Sequence, residues 1–432
     1  MNDYASFLAH KTRPAEPIGV DGITTSDVNP WMHDWQREIV VWAVSRGRAA
    51  IWADTGLGKT AMQLEWVRLS TDGIGLIVAP LAVCQQTVRE GRKLGIEVAY
   101  TRSMPTSPGI YVTNYEMVDH FDPAHIDAVV LDESSILKQS DGKTRTRLIK
   151  HFAPVLRRLA CTATPAPNDP QELTNHAEFL GVSTRTEMLA AYFIHDSDGW
   201  RLKGHAKRPM FRWMASWAIA LRRPSDMGYD DAGYILPELH IHTHLIDVNV
   251  IPEGQLFATD LGGVGGRAQV RKATIEDRCN HAAQIVNAEP DEPWIVWCGL
   301  NDEADRMAAL IPGAVNVHGG WSPEDKADAM LRFADGDIRV IVTKPSIASF
   351  GLNWQHCARM IFVGLSDSYE SYYQSIRRCY RYGQDREVNA HVVLTAVESG
   401  IAANVSRKQS AAQDMTASLV AALNEQRGQV NA

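Results

Sequence analysis

The sequence predicts an α/β protein made of two parallel-sheet halves that a mainly helical segment joins. Short apolar runs alternate with helical stretches from residue 31 to about residue 165, and the same alternation resumes after about residue 245. This alternation is the pattern of βαβ units, whose strands pair in parallel. The length of 432 residues is enough for two to three domains with real hydrophobic cores.

The first half contains five apolar runs that we interpret as strands. They are residues 49–53, 75–80, 109–113, 128–132 and 158–162. Each run ends in a small or polar residue. Ligands of open α/β sheets bind at the carboxyl ends of the strands, so we expect the chemistry at these run ends.

The second half repeats the pattern, and composition divides the rest of the chain. Its strand candidates are residues 294–298, 314–319, 339–343, 360–364 and 389–394. We therefore expect a flexible segment at 1–30, a first sheet domain at 31–165, a helical insertion and linker at 166–245, a second sheet domain at 246–400, and a C-terminal helix and tail at 401–432. We expect the C-terminal helix to dock on the second half.

Composition excludes several classes of protein. The six cysteines never form a C-x-x-C pair, which argues against a zinc ribbon and a disulfide framework and fits a reducing cytosol. No window approaches the length of apolar chain that spans a membrane, and the N-terminus has no apolar signal core, so we expect neither secretion nor membrane insertion.

Net charge and local charge predict different partners. The formal net charge of −8 argues mildly against a nucleic-acid partner. Residues 138–158, however, carry seven basic residues against one acidic residue, and residues 196–226 carry seven against three. Trp200 and other aromatics lie within the second segment, so it either stacks bases beside neutralised phosphates or packs a small core with a basic outer face; we favour the core.

The most specific motif is the glycine loop of AIWADTGLGKTAM. An apolar run leads into the loop and a helical pattern follows it; its residues are Thr55, Gly56, Leu57, Gly58, Lys59 and Thr60. Such a loop turns backbone N–H groups toward phosphates, its lysine reaches the β- and γ-phosphates, and its threonine hydroxyl binds Mg²⁺. Ala53 stands where the general pattern has glycine.

A pair of carboxylates follows another strand candidate. Asp132 and Glu133 end the run AVVLDE, about 70 residues after the loop. One carboxylate there can hold Mg²⁺ and its neighbour can orient or deprotonate the attacking water, as phosphoryl transfer requires. Together with Lys59 and Thr60, this pair predicts hydrolysis of a nucleoside triphosphate.

With these motifs the chain resembles superfamily 2 helicases and translocases of the Swi/Snf type, in a minimal form like those that phages encode. The resemblance covers about residues 31–396. WMHDWQ resembles the adenine-reading Q motif, with Gln36 as its glutamine. IVAPLAVCQQ, VTNYEMV and CTATPAPND resemble motifs Ia, Ib and III. Thr162 and Thr164 of motif III would couple the nucleotide site to the nucleic acid.

The second half resembles the remaining motifs of the same group. Arg378 and Arg381 of YYQSIRRCYRYGQ match its arginine fingers, which would stabilise charge on the transferring phosphoryl group across an interdomain cleft. The other residues that the resemblance assigns to the nucleotide are Gly351, Asn353 and Gln374, and Gly383 and Gln384 match motif VI. The expected nucleic-acid contacts, from the resemblance and from local charge, are Pro80, Asn114, Tyr115, Lys138, His318, Gly319, Thr343 and Lys344.

The chain departs from the family pattern in two places. Ser135 follows the acidic motif where the family has histidine or another coupling residue, and motif V has Ala348 and Ser349 where glycines are common. A separate feature is the alternation of His240, His242 and His244, which places three imidazoles on one face of a strand. We interpret it as an edge strand, with a metal site as the less favoured alternative.

The resemblance implies two RecA-like domains that use ATP and Mg²⁺ to move along, remodel or unwind DNA. A nucleotide-gated clamp or protein-displacing remodeller without processive unwinding, and an RNA helicase, stay open as alternatives. We expect a monomer in the cytoplasm, or in the host cytoplasm if a phage encodes the chain.

Overall fold

The computed structural model describes residues 14–138, 142–197, 199–246, 271–348, 353–366, 368–395 and 398–430. The chain forms two compact units. Unit 1 is Met1–Ala232 with Ser410–Ala432, and unit 2 is Gly233–Gln409. Each unit is built on one parallel sheet, which confirms the predicted fold class of two RecA-like domains.

Unit 1 has a seven-stranded parallel sheet. Its strands are β1 (Arg48–Ala53), β2 (Ile74–Ala79), β3 (Val98–Tyr100), β4 (Gly109–Asn114), β5 (Ala128–Asp132), β6 (Arg157–Cys161) and β9 (Ala218–Leu221). Their order across the sheet is β3-β4-β2-β5-β6-β1-β9. The central strands are buried along nearly their whole length because helices cover both faces, and this is why they are continuous apolar runs.

The helices of unit 1 follow the predicted alternation. They are α1 (Asp34–Arg46), α2 (Lys59–Ser70), α3 (Leu81–Lys93), α4 (Lys143–Phe152), α5 (Leu173–Leu180), α6 (Arg185–Tyr192) and α7 (Lys207–Met214). Short 3₁₀ segments lie at Tyr115–His120, Pro123–His125, Ser134–Lys138, Pro170–Glu172, Gly204–Ala206 and Pro224–Met227. A two-stranded antiparallel hairpin, β7 (Phe193–Asp196) and β8 (Gly199–Leu202), stands outside the main sheet.

Two expectations about unit 1 need correction. The segment 166–245 is not a separate helical insertion, because β9 within it pairs with β1 and completes the sheet. The N-terminal segment 1–30 is ordered in its described part: the backbone N–H groups of residues 18–20 bond to carbonyls at the end of α1. Residues 1–13 lie outside the described residues.

Unit 2 has a six-stranded parallel sheet. Its strands are β10 (Leu239–Ile246), β11 (Trp294–Cys298), β12 (Val315–Val317), β13 (Val340–Thr343), β14 (Arg359–Val363) and β15 (Val388–Thr395), in the order β10-β15-β14-β11-β13-β12. Its helices are α8 (Ile275–Asn287), α9 (Asn301–Leu310), α10 (Pro323–Ala334), α11 (Pro345–Ala348) and α12 (Tyr369–Ile376). All ten strands that the sequence predicted as apolar runs are present, whereas β3 and β9 were missed.

The histidine-rich strand lies at the edge of the unit 2 sheet. β10 pairs in parallel with β15 over its whole length, so the residues that the sequence assigned to a linker belong to the sheet. The imidazoles of His240, His242 and His244 share one face and bond across to Glu387, Asn389 and His391. This confirms the edge-strand interpretation.

The last helix, α13 (Ser399–Val430), begins in unit 2 and ends in unit 1. The expectation that it docks on the second half is therefore wrong for residues 410–430. A stripe of buried apolar side chains, including Met415, Leu419 and Leu423, explains why this part of the helix packs. Among the described residues, no helix is both long enough and apolar enough to cross a bilayer.

Candidate functional site

A glycine loop connects β1 to α2. Gly56 and Gly58 have φ angles of 85° and 76°, a left-handed conformation that glycine adopts without steric cost. Gly58 also caps the N-terminus of α2, and a Cβ atom on it would lie 2.4 Å from the Nε2 atom of Gln36. Backbone conformation and close approach thus both require glycine at position 58.

The Lys59 ammonium lies over its own loop. Its Nζ donates to the carbonyl oxygens of Ala53 at 2.8 Å and Asp54 at 3.2 Å. Thr60 follows in the first turn of α2 and is half-buried. Phosphate oxygens are stronger acceptors than backbone carbonyls because they are charged, so they can take over the lysine. This donor set fits a polyphosphate.

Gln36 holds the loop from the side of α1. Its Nε2 donates to the carbonyl of Leu57 at 3.0 Å, and its Oε1 accepts the backbone N–H of His33 at the same distance. The side chain is buried, so both ends of the amide are used within the protein. The residue that the sequence assigned to adenine recognition therefore contacts the phosphate loop directly.

Asp132 lies at the carboxyl end of β5 and is buried. Its carboxylate accepts a hydrogen bond from Gln63 Nε2 at 2.8 Å. Burial raises the pKa of Asp132, although the Gln63 hydrogen bond and the charge of Lys59 act in the opposite direction. The Glu133 backbone N–H also donates to Asp132 Oδ1, at 3.1 Å, so the carboxylate is held in place, and carboxylate oxygens are ligands that Mg²⁺ prefers.

Glu133 has a φ angle of 57°, and no other described residue except glycine has a positive φ. This conformation is costly for a side-chain-bearing residue and is held only where surrounding contacts fix it. One such contact comes from the Thr162 hydroxyl, which donates to Glu133 Oε2 at 3.3 Å. The same hydroxyl accepts the backbone N–H of Thr164 at 3.1 Å.

These residues meet because their strands are neighbours. The sheet order places β6 between β5 and β1, so Thr162 follows the strand that separates the acidic pair from the glycine loop. The carboxyl ends of these strands therefore bring together six residues that the sequence predicted: Lys59, Thr60, Asp132, Glu133, Thr162 and Thr164. Gln63 was missed, although its position four residues after Lys59 on α2 places it on the same helix face.

The four residues of unit 1 that were expected to contact nucleic acid differ in location and in burial. Pro80 caps the start of α3, and Lys138 ends the 3₁₀ segment after Glu133. Asn114 and Tyr115 are buried. The Tyr115 hydroxyl donates to the backbone carbonyl of Asp132 at 2.6 Å, so this side chain supports the acidic strand end.

In unit 2, three of the expected contacts line one cavity. His318, Gly319 and Lys344 surround a space of about 250 Å³ at the carboxyl ends of β12 and β13. The Thr343 side chain is buried, and its hydroxyl donates to the carbonyl of Val317, so it joins the two strands. Thr343 therefore shapes the cavity without facing it.

The arginine-rich motif of unit 2 follows α12. Gln374 and Arg378 are buried, and burial together with the nearby charge of Arg377 lowers the pKa of Arg381 to about 10. Gln384 donates to the carbonyls of Gln355, Cys357 and Cys379, which ties the motif to the preceding loop. Asn353 is exposed, and Gly351 lies outside the described residues.

The aromatic and basic segment of unit 1 packs as a core with a charged outer face. Phe211, Trp213 and Trp217 are buried, whereas Arg208 and Arg212 are exposed. This confirms the favoured interpretation of the segment and removes these three rings as base-stacking partners.

Comparisons with known proteins match both units. Residues 29–192 match the SNF2-related domain, and residues 277–383 match the helicase conserved C-terminal domain. Together the two matched segments span more than half of the chain. No curated protein sequence matches the chain. Among solved structures, the chain is similar to the Sulfolobus solfataricus SWI2/SNF2 ATPase core in complex with dsDNA, with 16% identity, a TM-score of 0.44, and coverage of 93% of this chain and 96% of that chain.

Proposed function

Because the chain belongs to the Swi/Snf-type group of superfamily 2, we propose that it is an ATP-dependent motor that moves along or remodels DNA. The observation that carries the proposal is the arrangement at the carboxyl ends of the central strands of unit 1. There Lys59, Asp132 and Glu133 lie together and Thr162 contacts Glu133. A phosphate loop, a metal-binding carboxylate and a second carboxylate are the parts that phosphoryl transfer to water requires.

Each residue of this arrangement has a distinct part in the proposed reaction. Lys59 exchanges its carbonyl partners for the β- and γ-phosphates of ATP, while loop N–H groups and the start of α2 hold the remaining phosphate oxygens. Glu133 orients the attacking water and takes its proton. The Thr162 hydroxyl donates to Glu133 and so fixes the carboxylate that faces the water.

Thr60 and Asp132 are the proposed ligands of Mg²⁺. When bound, this ion neutralises charge that develops on the phosphate oxygens. The hydroxyl and carboxylate oxygens of this pair are the ligand type that Mg²⁺ prefers. Gln63 keeps the Asp132 carboxylate in place through its hydrogen bond.

Unit 2 supplies the other residues that we propose to act on ATP and on DNA. Arg378 and Arg381 remain the proposed arginine fingers, and Gly351, Asn353 and Gln374 remain proposed nucleotide contacts. His318, Gly319 and Lys344 are proposed to contact the DNA backbone, supported by their common cavity. Hydrolysis at unit 1 would then be coupled to DNA through Thr162 and Thr164.

An ATPase titration with single-stranded, duplex, forked and four-way DNA tests the proposal. We expect at least one DNA to stimulate ATP hydrolysis, and we expect Lys59→Ala to abolish it. Lack of stimulation by every DNA and RNA tried would refute the motor. A triplex-displacement assay then separates a translocase, for which displacement requires ATP and depends on track length, from a clamp. Matched RNA duplexes separate an RNA helicase from a DNA motor.

A further inference from the structure

We propose that Arg208 and Arg212 form a phosphate-binding pair for DNA, and that Glu425 of the C-terminal helix occupies this pair when DNA is absent. The inference rests on the proposed function for its ligand. It adds a site outside the motifs and a means by which the chain regulates its own DNA binding.

The site is built on α7. The buried face of this helix carries Met210, Phe211 and Met214, which fix the helix to unit 1. Arg208 and Arg212 lie on the opposite face, one helical turn apart, with their side chains 75% and 53% exposed. Two like charges at this spacing repel each other, so the pair favours an anion between them.

Glu425 provides such an anion within unit 1. Its Oε1 accepts from Arg208 Nη2 at 2.7 Å and its Oε2 accepts from Arg212 Nη2 at 2.9 Å. Hydrogen bonds from Arg212 and Arg208 lower the pKa of Glu425, so its carboxylate is ionised at neutral pH. One oxyanion bridging two guanidinium groups is also the arrangement by which arginines bind a phosphate.

The position of Glu425 makes the contact reversible. The buried stripe of α13 that includes Leu419 and Leu423 holds the helix in place, whereas Glu425 remains 37% exposed. Ion pairs this exposed contribute little to stability because water and salt screen them. A DNA backbone presents many phosphates at once, so it can displace a single carboxylate at small cost.

The surrounding charges fit a polyanion. Lys207 is exposed beside Arg208, and Arg201 of the preceding hairpin is 67% exposed. Arg201 is itself paired with a carboxylate, that of Asp196, at 3.2 Å. Basic side chains on this surface are thus already engaged by carboxylates of the same chain. DNA that reaches the arginine pair must replace Glu425.

The test measures binding of fluorescein-labelled duplex DNA to the full chain by fluorescence anisotropy, without ATP. Glu425→Gln keeps the side-chain shape and removes the charge. We expect it to tighten DNA binding about two- to fivefold. This is the factor by which an exposed ion pair favours the state with Glu425 bound to the arginines over the state with the arginines open to DNA. We also expect its affinity to fall more steeply with salt, because the arginine pair of the variant holds counterions that DNA releases, whereas Glu425 already neutralises the pair in the wild type.

Asp414 offers a matched control. It lies on the same helix, is exposed, and forms no ion pair with the described residues. Asp414→Asn changes the net charge by the same amount, and we expect it to leave DNA affinity within twofold of wild type. A double variant, Arg208→Gln with Arg212→Gln, should weaken binding, and adding Glu425→Gln to it should have no further effect.

Two outcomes would overturn the inference. One is an equal gain in affinity from Glu425→Gln and Asp414→Asn, and the other is a gain from Glu425→Gln that persists without the two arginines. The test is separate from that of the motor. DNA-stimulated ATPase with no effect of Glu425→Gln refutes only this inference, whereas the expected binding changes without stimulated ATPase refute only the motor.

Discussion

Thr162→Val tests the link between the acidic pair and the motif that follows β6. Valine matches threonine in size and the position is fully buried, so the change removes the hydroxyl and little else. Two hydrogen bonds disappear: the one to Glu133 Oε2 at 3.3 Å, and the one that satisfies the backbone N–H of Thr164 at 3.1 Å. Glu133 then loses a contact that holds its φ angle of 57°.

The expected size of the effect follows from the hydrogen bond that Thr162 donates to Glu133. A hydrogen bond to a charged group is worth about 1.5–3 kcal/mol, and the 3.3 Å length favours the lower value. Because about 1.4 kcal/mol is a factor of ten in rate, we expect kcat for ATP hydrolysis to fall about tenfold. The KM for ATP should change little, since the lysine and the glycine loop are untouched.

Steady-state ATPase assays with and without duplex DNA measure this effect. Thr162→Ser retains the hydroxyl and serves as the control, with a kcat expected within about threefold of wild type. Circular dichroism confirms that both variants fold. A Thr162→Val enzyme that keeps more than half of the wild-type kcat would refute the proposed positioning of Glu133 by Thr162.

Three further predictions follow from the structure. Lys59→Ala should abolish ATP hydrolysis with an unchanged circular dichroism spectrum; hydrolysis above background would contradict the role of the loop. Glu303→Ala leaves the fully buried Arg278 without its 2.8 Å partner, so peptides of 294–310 should lose about 3–5 kcal/mol of hydrogen-exchange protection. The ion pair between Glu289 and Arg359, whose side chains are 41% and 22% exposed, serves as the control, and Glu289→Ala should cost at most about 1 kcal/mol. Burial and the neighbouring imidazoles lower the pKa of His391 from 6.5 to about 4, so the folded state favours the neutral ring and unit 2 should lose stability as the pH falls from 6.5 toward 4. Thermal melts at several pH values give the dependence of Tm on pH. We expect Tm to fall less steeply with decreasing pH for His391→Gln than for the wild type, and an equally steep fall would contradict this assignment.

The sequence predicted the parts of the fold that depend on local pattern. Strands buried on both faces are continuous apolar runs, so all ten predicted strands are present in the two sheets. β9 was missed as a sheet member because it lies at a sheet edge within a basic, aromatic segment, whereas β10 was predicted as an edge strand from its alternating histidines. Their place in the sheets follows from pairing with β1 and β15, which are distant in sequence.

The glycine loop and the acidic strand end were readable from the sequence alone, because their chemistry needs particular residue types at short spacing. Only the tertiary structure decided which side chains support them. Gln63 meets Asp132 across 69 residues, and Glu425 meets Arg208 across 217. Sequence patterns report the burial and backbone conformation of neighbouring residues, whereas contacts of this range depend on strand order and helix packing. The residues that bear the chemistry were thus determined locally, and the contacts that hold them in position or cover them were decided by the fold.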